Sequence, residues 1–568
     1  MMNLDVIANT AYLSVVSHSL QASLEHQSFL IMRLSSTVSH GVWLAALAKT
    51  ASAAFGYTED GDNIVIDAGS NNSLVFSLSK SSCDLTSILY RQNELQYPDT
   101  GSHLGSGLGE SSTTVTKVND NIIKVTCVSG AVTHYTVVRK GDAAIYMGTH
   151  IEDNSFGELR YIARLNNDIL SEEHPFGDVS SYVGYTDLVE GEDVVLADGQ
   201  TRSKFYSAER YIDRGVHCVY GSDNSDQSVH VCMLIPQPES SSGGPFFRDI
   251  ETSNGDAYNA LHNYMWSAHT QIEATQRVGF HGPYAMVFSS RGVPRLSETN
   301  FGFFDSLGCK GYVANAGRGH VSGRANGVPS GYEAVIHWYN DHAQYWTRAG
   351  SNGEFTSPAM KPGTYRQVLY QTEYKVAEVS AVRVTAGSST SQSITTRLND
   401  EQRKVLFKIG RYDGQPFGFK NSDKQLRMHP SDDRMEDWVS EYTVGKSAAT
   451  DFPMAIFKDV NDGTPINFEL SSVPAGGATL RIATTLSFAA SRPSITVNDW
   501  ESAPAEAPDR IDSRGVTRGV YRGLGEQYDF EISAEVLKEG ANTIKIYSYS
   551  GNSSEGFLSP NFVSFLSY

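Results

Sequence analysis

The fold is decided by a stretch in the first half of the chain, Asn121-Ile122-Ile123-Lys124-Val125-Thr126, which is followed by His134-Tyr135-Thr136-Val137-Val138. Both runs are short and rich in β-branched and aromatic residues, as is typical of strands. Two similar runs, Asn63–Asp67 and Ser73–Leu78, precede them and end in polar turns. No long segment with helical periodicity interrupts this pattern between residues 55 and 309. We therefore predict an all-β chain with a large β-sandwich over residues 55–309.

A second, smaller domain is predicted over residues 310–397. Its glycine-rich beginning, residues 311–331, offers no strong core. A strand is predicted from Tyr365 to Tyr370, and residues 381–385 alternate between apolar and polar side chains. A region of this length with such strands suits an immunoglobulin-like or fibronectin type III-like sandwich.

A third domain is predicted over residues 398–568, after a polar linker from Ser388 to Asp400. Residues 479–484 and 542–547 both alternate as half-buried strands do. We predict a jelly-roll β-sandwich, an architecture common among carbohydrate-binding modules. Three domains also suit the length of 568 residues, since single hydrophobic cores stop growing beyond about 250–300 residues.

The chain is acidic, with 45 Lys and Arg against 64 Asp and Glu and a formal net charge of −19. This argues against nucleic acid as a partner, because phosphate binding favours a basic surface. An acidic substrate would require a locally basic site on this acidic body. A simpler interpretation is that the charge keeps a secreted protein soluble.

The first 54 residues are predicted to be an extension and a signal peptide that starts at Met32. A basic start is followed by the apolar run 42–48 and by the small residues 51–53. This order is typical of a secretory signal, so we expect a secreted chain that begins near Ala54 or Phe55. No run of 18 apolar residues occurs, and therefore no membrane span is predicted.

The five cysteines fit secretion. We pair Cys83 with Cys127 and Cys218 with Cys232, which leaves Cys309 free, although four cysteines permit three pairings. No Cys/His spacing typical of a metal site is present. Asn71 and Asn552 stand in glycosylation sequons.

The first candidate functional residues lie in the segment Glu158–Leu165. As a strand it places Arg160 and Arg164 on one face, where two guanidinium groups suit carboxylate binding. Spacing alone favours an ordinary surface strand. Lys204 near arginines would have its ammonium form disfavoured and so suit a base. Alone, such a lysine is usually a solvated side chain.

The segment 258–269 is crowded with aromatic and hydrogen-bonding groups. Aromatic faces stack on sugars, and a histidine exchanges protons near neutral pH. His269 ends this segment, and in isolation it would be interpreted as a hydrogen-bonded core histidine. The H-E-x-x-H, G-x-S-x-G, P-loop and EF-hand motifs are all absent.

Several longer segments, in this order, resemble the fungal rhamnogalacturonan lyases of polysaccharide lyase family 4. They are SHLGSGLG (102–109), TRSKFYS (201–207), ESSSGGPF (239–246), VIHWYND (335–341), LRMHPSD (426–432) and DSRGVTRG (512–519). The resemblance runs from Phe55 to near the C-terminus. It implies the three domains predicted above and cleavage between rhamnose and galacturonic acid in rhamnogalacturonan I.

The resemblance also implies roles for particular residues. Lys204 matches the family's catalytic base and His269 its catalytic acid. Arg160 and Arg164 match substrate-binding arginines, and Tyr264 matches a binding tyrosine. Where the family has a second binding tyrosine, this chain has His262, which we count among the expected substrate-binding residues.

The implied reaction is β-elimination without a metal or other cofactor in the active site, by a monomer. A structural calcium ion in the third domain stays open, because the sequence identifies no ligands for it. The arginines at 514, 518 and 522 suit either a contact that holds the domains together or an extension of a track for the polyanion, and we favour the structural role. Two other functions stay open on composition alone: sugar binding without catalysis, and glycoside hydrolysis by a carboxylate pair.

Overall fold

The computed structural model describes residues 54–567 with internal gaps. The residues outside the description are 1–53, 70–71, 106, 156, 176–182, 191–193, 204–208, 223–227, 249, 256, 268–275, 397–404, 424–429, 431, 488–490, 507–525, 550–559 and 568. Over the described residues the chain is all-β, with short 3-10 turns at Leu296–Glu298, Gly302–Ser306, Asn315–Gly317 and Ala449–Asp451 and no α-helix. The predicted fold class is confirmed. Within these ranges there is also no helix long and apolar enough to cross a membrane.

The first set of strands covers the predicted catalytic sandwich. Its strands are β1 (Gly56–Asp60), β2 (Asn63–Asp67), β3 (Leu74–Ser79), β4 (Leu85–Tyr90), β5 (Asn93–Glu94), β6 (His103–Leu104), β7 (Ser112–Asn119), β8 (Ile122–Ser129), β9 (Val132–Arg139), β10 (Ala144–Ile151), β11 (Glu158–Leu165), β12 (Glu172–His174), β13 (Asp187–Glu190), β14 (Val194–Ala197), β15 (Gln200–Ser203), β16 (His217–Tyr220), β17 (His230–Leu234), β18 (Thr252–Asn254), β19 (Asn259–Ser267) and β20 (Gly279–Ser289). They form four sheets, in the orders β1-β2-β3-β4-β5, β12-β16-β17-β20-β10-β9-β8-β7, β18-β19-β11-β6 and β13-β14-β15.

The main core of this domain contains residues from the five-, eight- and four-stranded sheets, for example Phe76, Met147 and Tyr161. The outer face of the eight-stranded sheet is covered as well, because Phe304 and its neighbours pack on Tyr146 and Phe280. For this reason β10 is buried along its whole length, although an antiparallel strand with one solvated face would alternate.

The second set is built from β21 (His320–Asn326), β22 (Ala334–Tyr339), β23 (Gln344–Arg348), β24 (Glu354–Thr356), β25 (Gly363–Gln371), β26 (Tyr374–Val384), β27 (Ser389–Ser391) and β28 (Ile394–Thr395). Its two sheets have the orders β24-β21-β27, with β28 also on β21, and β23-β22-β25-β26. They enclose a core around the fully buried Trp338.

Two expectations for this domain are wrong. The glycine-rich stretch 311–331 contains β21, whose Val321 lies in the core, and the predicted linker from Ser388 contains β27 and β28, which pair with β21 in parallel. The glycines allow this close approach, since a Cβ at Gly323 would lie 2.3 Å from the carbonyl oxygen of Gln392.

The third set is built from β29 (Lys408–Gly410), β30 (Tyr442–Thr443), β31 (Ala455–Phe457), β32 (Thr464–Leu470), β33 (Ala478–Ser487), β34 (Arg492–Val497), β35 (Trp500–Glu501), β36 (Glu526–Ile532), β37 (Gly540–Tyr549) and β38 (Pro560–Ser567). The two sheets have the orders β29-β38-β33-β36, with β31 on β38, and β30-β32-β37-β34-β35. The core between them includes Phe468, Ile482 and Ile544.

The disulfides join Cys83 to Cys127 and Cys218 to Cys232, which confirms the predicted pairs. The second bridge links neighbouring strands, β16 and β17, at directly opposed positions. Cys309 is free and buried, and burial raises the pKa of its thiol to about 11.

The first and second domains meet at a buried carboxylate, Glu239. Both terminal nitrogens of the Arg318 guanidinium donate to it, at 2.7 and 3.1 Å. Its Oε1 lies 3.0 Å from the Lys361 ammonium, and its Oε2 accepts the Tyr345 hydroxyl at 2.6 Å. Burial alone would raise the pKa of Glu239, but Lys361 and Arg318 hold it at about 2.

A second buried carboxylate, Glu373, contacts all three domains. Its Oε1 lies 3.2 Å from Arg210 and 3.3 Å from Arg248 of the first domain. The same oxygen accepts the Gln415 amide of the third domain at 2.9 Å. The side chain of Glu373 is completely buried, so charged and polar groups of three domains converge on one point.

Candidate active site

The candidate site lies on the outer face of the sheet β18-β19-β11-β6. Along β11 the side chains alternate as predicted, with Leu159, Tyr161 and Ala163 in the core. Arg160 and Arg164 therefore lie on the opposite face, and both are partly exposed. The pleat of one strand, anchored by its apolar residues, presents two guanidinium groups on one surface.

A β-bulge in β19 determines which residue of that strand lies opposite Arg160. Leu159 is opposite Trp266, but Arg160 is opposite Tyr264, so that Met265 is an extra residue on β19. Met265 is buried in the core. Bulges redirect side chains and are common beside active sites, and this one places Tyr264 rather than Met265 against the arginine.

Arg160, Tyr264 and Glu158 form a closed triangle. Arg160 Nη1 donates to the Tyr264 hydroxyl at 2.5 Å, and that hydroxyl donates to Glu158 Oε1 at 3.1 Å. Arg160 Nε lies 3.3 Å from Glu158 Oε2. The guanidinium is thus held from two sides, since each group restricts the rotamers of the other two. Glu158 has no predicted role. Its contact with Tyr264 depends on the pairing of β11 with β19, whereas its contact with Arg160 follows from their places two residues apart on one strand.

Arg164 is held by His103 of β6. Its Nη1 donates to His103 Nε2 at 3.0 Å and to the Gly101 carbonyl at 3.3 Å. Since arginine has no acceptor, His103 must accept through an unprotonated nitrogen. Burial and the two arginines lower the pKa of His103 to about 4, which keeps the ring neutral. No sequence signal identified His103 as part of this surface.

An aromatic pair borders Arg164. The Arg164 guanidinium lies 5.6 Å from the ring centre of Tyr258, and this ring is 5.2 Å from that of Tyr97. Both tyrosines are partly exposed. Such rings offer apolar faces to sugars next to a cation.

His262 lies on the same face of β19 as Tyr264, two residues before it, and is buried there. Its side chain is 1% exposed, its ring lies 5.7 Å from that of Tyr264, and its backbone carbonyl accepts His217 Nε2 at 2.9 Å. Burial, Arg160 and His217 lower the pKa of His262 well below its usual range. This position favours support of Tyr264. The predicted sugar contact by His262 stays a prediction.

The surface is locally basic although the chain carries a net charge of −19. Arg160 and Arg164 both act on His103 and on His262 and disfavour a further positive charge on either ring. This local field has the sign that an anionic substrate requires.

Several predicted residues lie outside the described part of the chain. They are Lys204, His269, Asn71, Asn552 and the arginines at 514, 518 and 522. Lys204 directly follows β15, and His269 follows β19, the strand that carries Tyr264. Over the described ranges no cluster of His, Cys, Asp and Glu suits a metal ion.

Comparisons with known proteins cover all three domains. Residues 55–311 match the family model described as rhamnogalacturonan lyase B, N-terminal. Residues 317–392 match polysaccharide lyase family 4, domain II, and residues 405–566 match domain III of the same family.

Relatives match along nearly their whole length. Rhamnogalacturonate lyase A of Emericella nidulans is 53% identical over 91% of this chain and 96% of its own. An Aspergillus fumigatus protein provisionally given the same name is 54% identical over 92% and 97%. A Neurospora crassa protein, provisionally named a rhamnogalacturonase, is 54% identical over 93% and 98%.

Proposed function

This chain belongs to the rhamnogalacturonan lyases of polysaccharide lyase family 4, and we propose that it cleaves rhamnogalacturonan I internally between rhamnose and galacturonic acid. The bond is cleaved by β-elimination, which leaves an unsaturated galacturonate at the new non-reducing end. The observation that carries the proposal is the pair of partly exposed arginines on one face of β11.

Arg160 and Arg164 are proposed to bind the galacturonate carboxylate. While this group is ionised it acidifies the neighbouring C5 proton only weakly, because removal of the proton adds negative charge beside an existing one. Guanidinium groups neutralise the carboxylate and stabilise the enolate-like intermediate. The triangle with Tyr264 and Glu158 and the contact with His103 hold both arginines ready, which reduces the reorganisation required on binding.

Lys204 is proposed as the base and His269 as the acid. Neutral Lys204 takes the C5 proton, the electron pair of the C5–H bond forms the C4–C5 double bond, and the C4–O4 bond breaks. His269 gives its proton to the departing O4 oxygen. No step in this scheme is assigned to a metal ion. The polysaccharide is the expected partner.

The test is ultraviolet absorbance while purified protein acts on rhamnogalacturonan with a chelator present. A conjugated C4–C5 double bond raises the absorbance. New reducing ends without absorbance would instead show hydrolysis. Substrate binding without any cleavage would support a binding module. Addition of calcium ions separates that result from a metal requirement.

Lys204→Ala tests the base directly, with Lys117→Ala as the matched control. Lys117 is an exposed lysine on β7 that pairs only loosely with Asp120, at 3.6 Å. We expect Lys204→Ala to lose turnover by at least a factor of about 100 while it still binds the polymer. Near-full activity of this variant would refute the assignment of the base.

We also propose that the chain is secreted, and the two disulfides support this, since such bonds persist in oxidising compartments. N-terminal sequencing of protein from the culture medium is expected to read from Ala54 or Phe55. A chain retained inside the cell with residues 1–53 intact would contradict the proposed signal peptide.

A further inference from the structure

The small sheet β13-β14-β15 stands apart from the other sheets of the first domain. Among the described strands it shares no ladder with the five-, eight- or four-stranded sheet. Its last strand, β15, ends at Ser203, one residue before Lys204. In the sequence, the hairpin of β14 and β15 therefore leads directly into Lys204.

That hairpin is bound by the third domain through Asp432. One carboxylate oxygen of Asp432, Oδ2, accepts the Thr201 backbone amide at 2.8 Å and the Thr201 hydroxyl at 2.9 Å. The Asp432 side chain is completely buried. A buried carboxylate with two donors from one residue of β15 fixes both the backbone and the side chain of that residue.

The two residues that follow Asp432 also bind the hairpin. Arg434 pairs with Asp432 at 2.5 Å and also donates to the Thr201 carbonyl at 3.3 Å. The Asp433 amide donates to the carbonyl of Gly199, at the turn of the hairpin, at 2.8 Å. Gly199 has a φ of +72°, a conformation that favours glycine, and a Cβ there would lie 1.9 Å from the Asp433 carboxylate. The turn and the loop thus fit closely.

We propose that Asp432 is a positioning residue of the active site, through which the C-terminal domain fixes the hairpin that carries the catalytic base. This inference rests on the proposed role of Lys204. It gives the third domain a part in catalysis that is separate from any binding of sugar. The arginines that bind the substrate lie on β11, in a different sheet, so the hairpin contact affects turnover and leaves substrate binding largely intact.

The experiment compares steady-state kinetics of the full chain with those of four variants. Asp432→Ala removes both acceptor bonds, whereas Asp432→Asn keeps one oxygen for Thr201. Thr201→Val removes only the hydroxyl, from the other side of the contact. Asp499→Asn is the matched control, because Asp499 is an exposed residue of the same domain that pairs with Lys538.

We expect Asp432→Ala to lower kcat by a factor of about 100, since a misplacement of about 1 Å costs that much, with KM changed less than about threefold. Asp432→Asn is expected to restore part of kcat, Thr201→Val to lose about tenfold, and the control to match the parent. A fall through KM alone, or equal losses in all four variants, would overturn the proposal.

Amide hydrogen exchange of residues 194–203 separates this proposal from the assignment of the base. Faster exchange in Asp432→Ala, confined to the hairpin and accompanied by the loss of kcat, supports the positioning role. Faster exchange with unchanged kcat overturns it. If Lys204→Ala itself keeps full activity, the proposed base is wrong, and this is seen without any Asp432 variant.

Discussion

The contribution of the buried Glu239 carboxylate to the free energy of unfolding depends on pH. It can therefore be used to test the contact between the first two domains. The drop of its pKa from 4.5 to about 2 corresponds to slightly more than about 3 kcal/mol, at about 1.36 kcal/mol for each unit of pKa. The same interaction raises the pKa of Arg318 and is counted once. We therefore expect the ionised Glu239 to add about 3 kcal/mol to the free energy of unfolding.

The sign of the pH dependence follows from the lowered pKa. Because the folded value lies below the unfolded one, the stabilisation by Glu239 is complete above about pH 4.5 and decreases as the pH falls toward 2. Near pH 3 it should be about half of its value at pH 7. Removal of the charge by Glu239→Gln should therefore lower the free energy of unfolding most at neutral pH.

The assay is urea unfolding of the parent and Glu239→Gln at several pH values from 7 to 3, followed by circular dichroism. The gap between the two proteins is expected to narrow from about 3 to about 1.5 kcal/mol. Glu354→Gln serves as control, because Glu354 forms an exposed pair with Arg324 and should change stability little at any pH. A gap that stays constant with pH would refute the argument from charge.

Three further predictions concern the site and the second disulfide. Tyr264→Phe is expected to lower kcat/KM about tenfold, because Arg160 loses a bond of 2.5 Å; unchanged kinetics would show that the hydroxyl does not orient Arg160. Arg164→Lys should lower kcat/KM by at least about 100-fold, because a lysine does not reproduce the planar fork; full activity would remove Arg164 from the proposed mechanism. Replacing both Cys218 and Cys232 by alanine should cost about 3 kcal/mol in urea unfolding, and a loss below about 1 kcal/mol would contradict the loop-entropy estimate.

The sequence predicts which residues of β11 face the site, but it does not predict most of the contacts that these residues make with other strands. Alternation along β11 is a local property, and it correctly separates Leu159 and Tyr161 from Arg160 and Arg164. The bulge at Met265 depends on pairing between strands about a hundred residues apart. His103 joins the site only through the pairing of β6 with β11, so no local pattern reveals it. Glu158, by contrast, lies two residues from Arg160 on the same strand, and alternation alone places both on one face.

The fold likewise has features that the sequence predicts and features that depend on long-range pairing. The short strand-like runs predict the all-β class, which is confirmed. The disulfide pairs chosen from three possible pairings are also those in the structure. The strands β27 and β28 were interpreted as linker because they are short and polar. They exist because their backbone bonds to β21, and a long-range partner of this kind leaves no mark in the residues themselves.

The contacts of three domains at Glu373 limit how readily these domains can be exchanged between related genes by recombination. A deletion of the third domain would remove Gln415 from the buried carboxylate, and a deletion of the second would remove the acid that faces Arg210 and Arg248. Deletion of the second domain would break the buried ion pair of Glu373 with Arg248, at a cost of several kcal/mol. Deletion of the third domain would remove one hydrogen-bond donor from Glu373, at a cost of about 1 kcal/mol. The three domains are therefore poor candidates for exchange as separate modules, and recombination that preserves function should transmit them as one block.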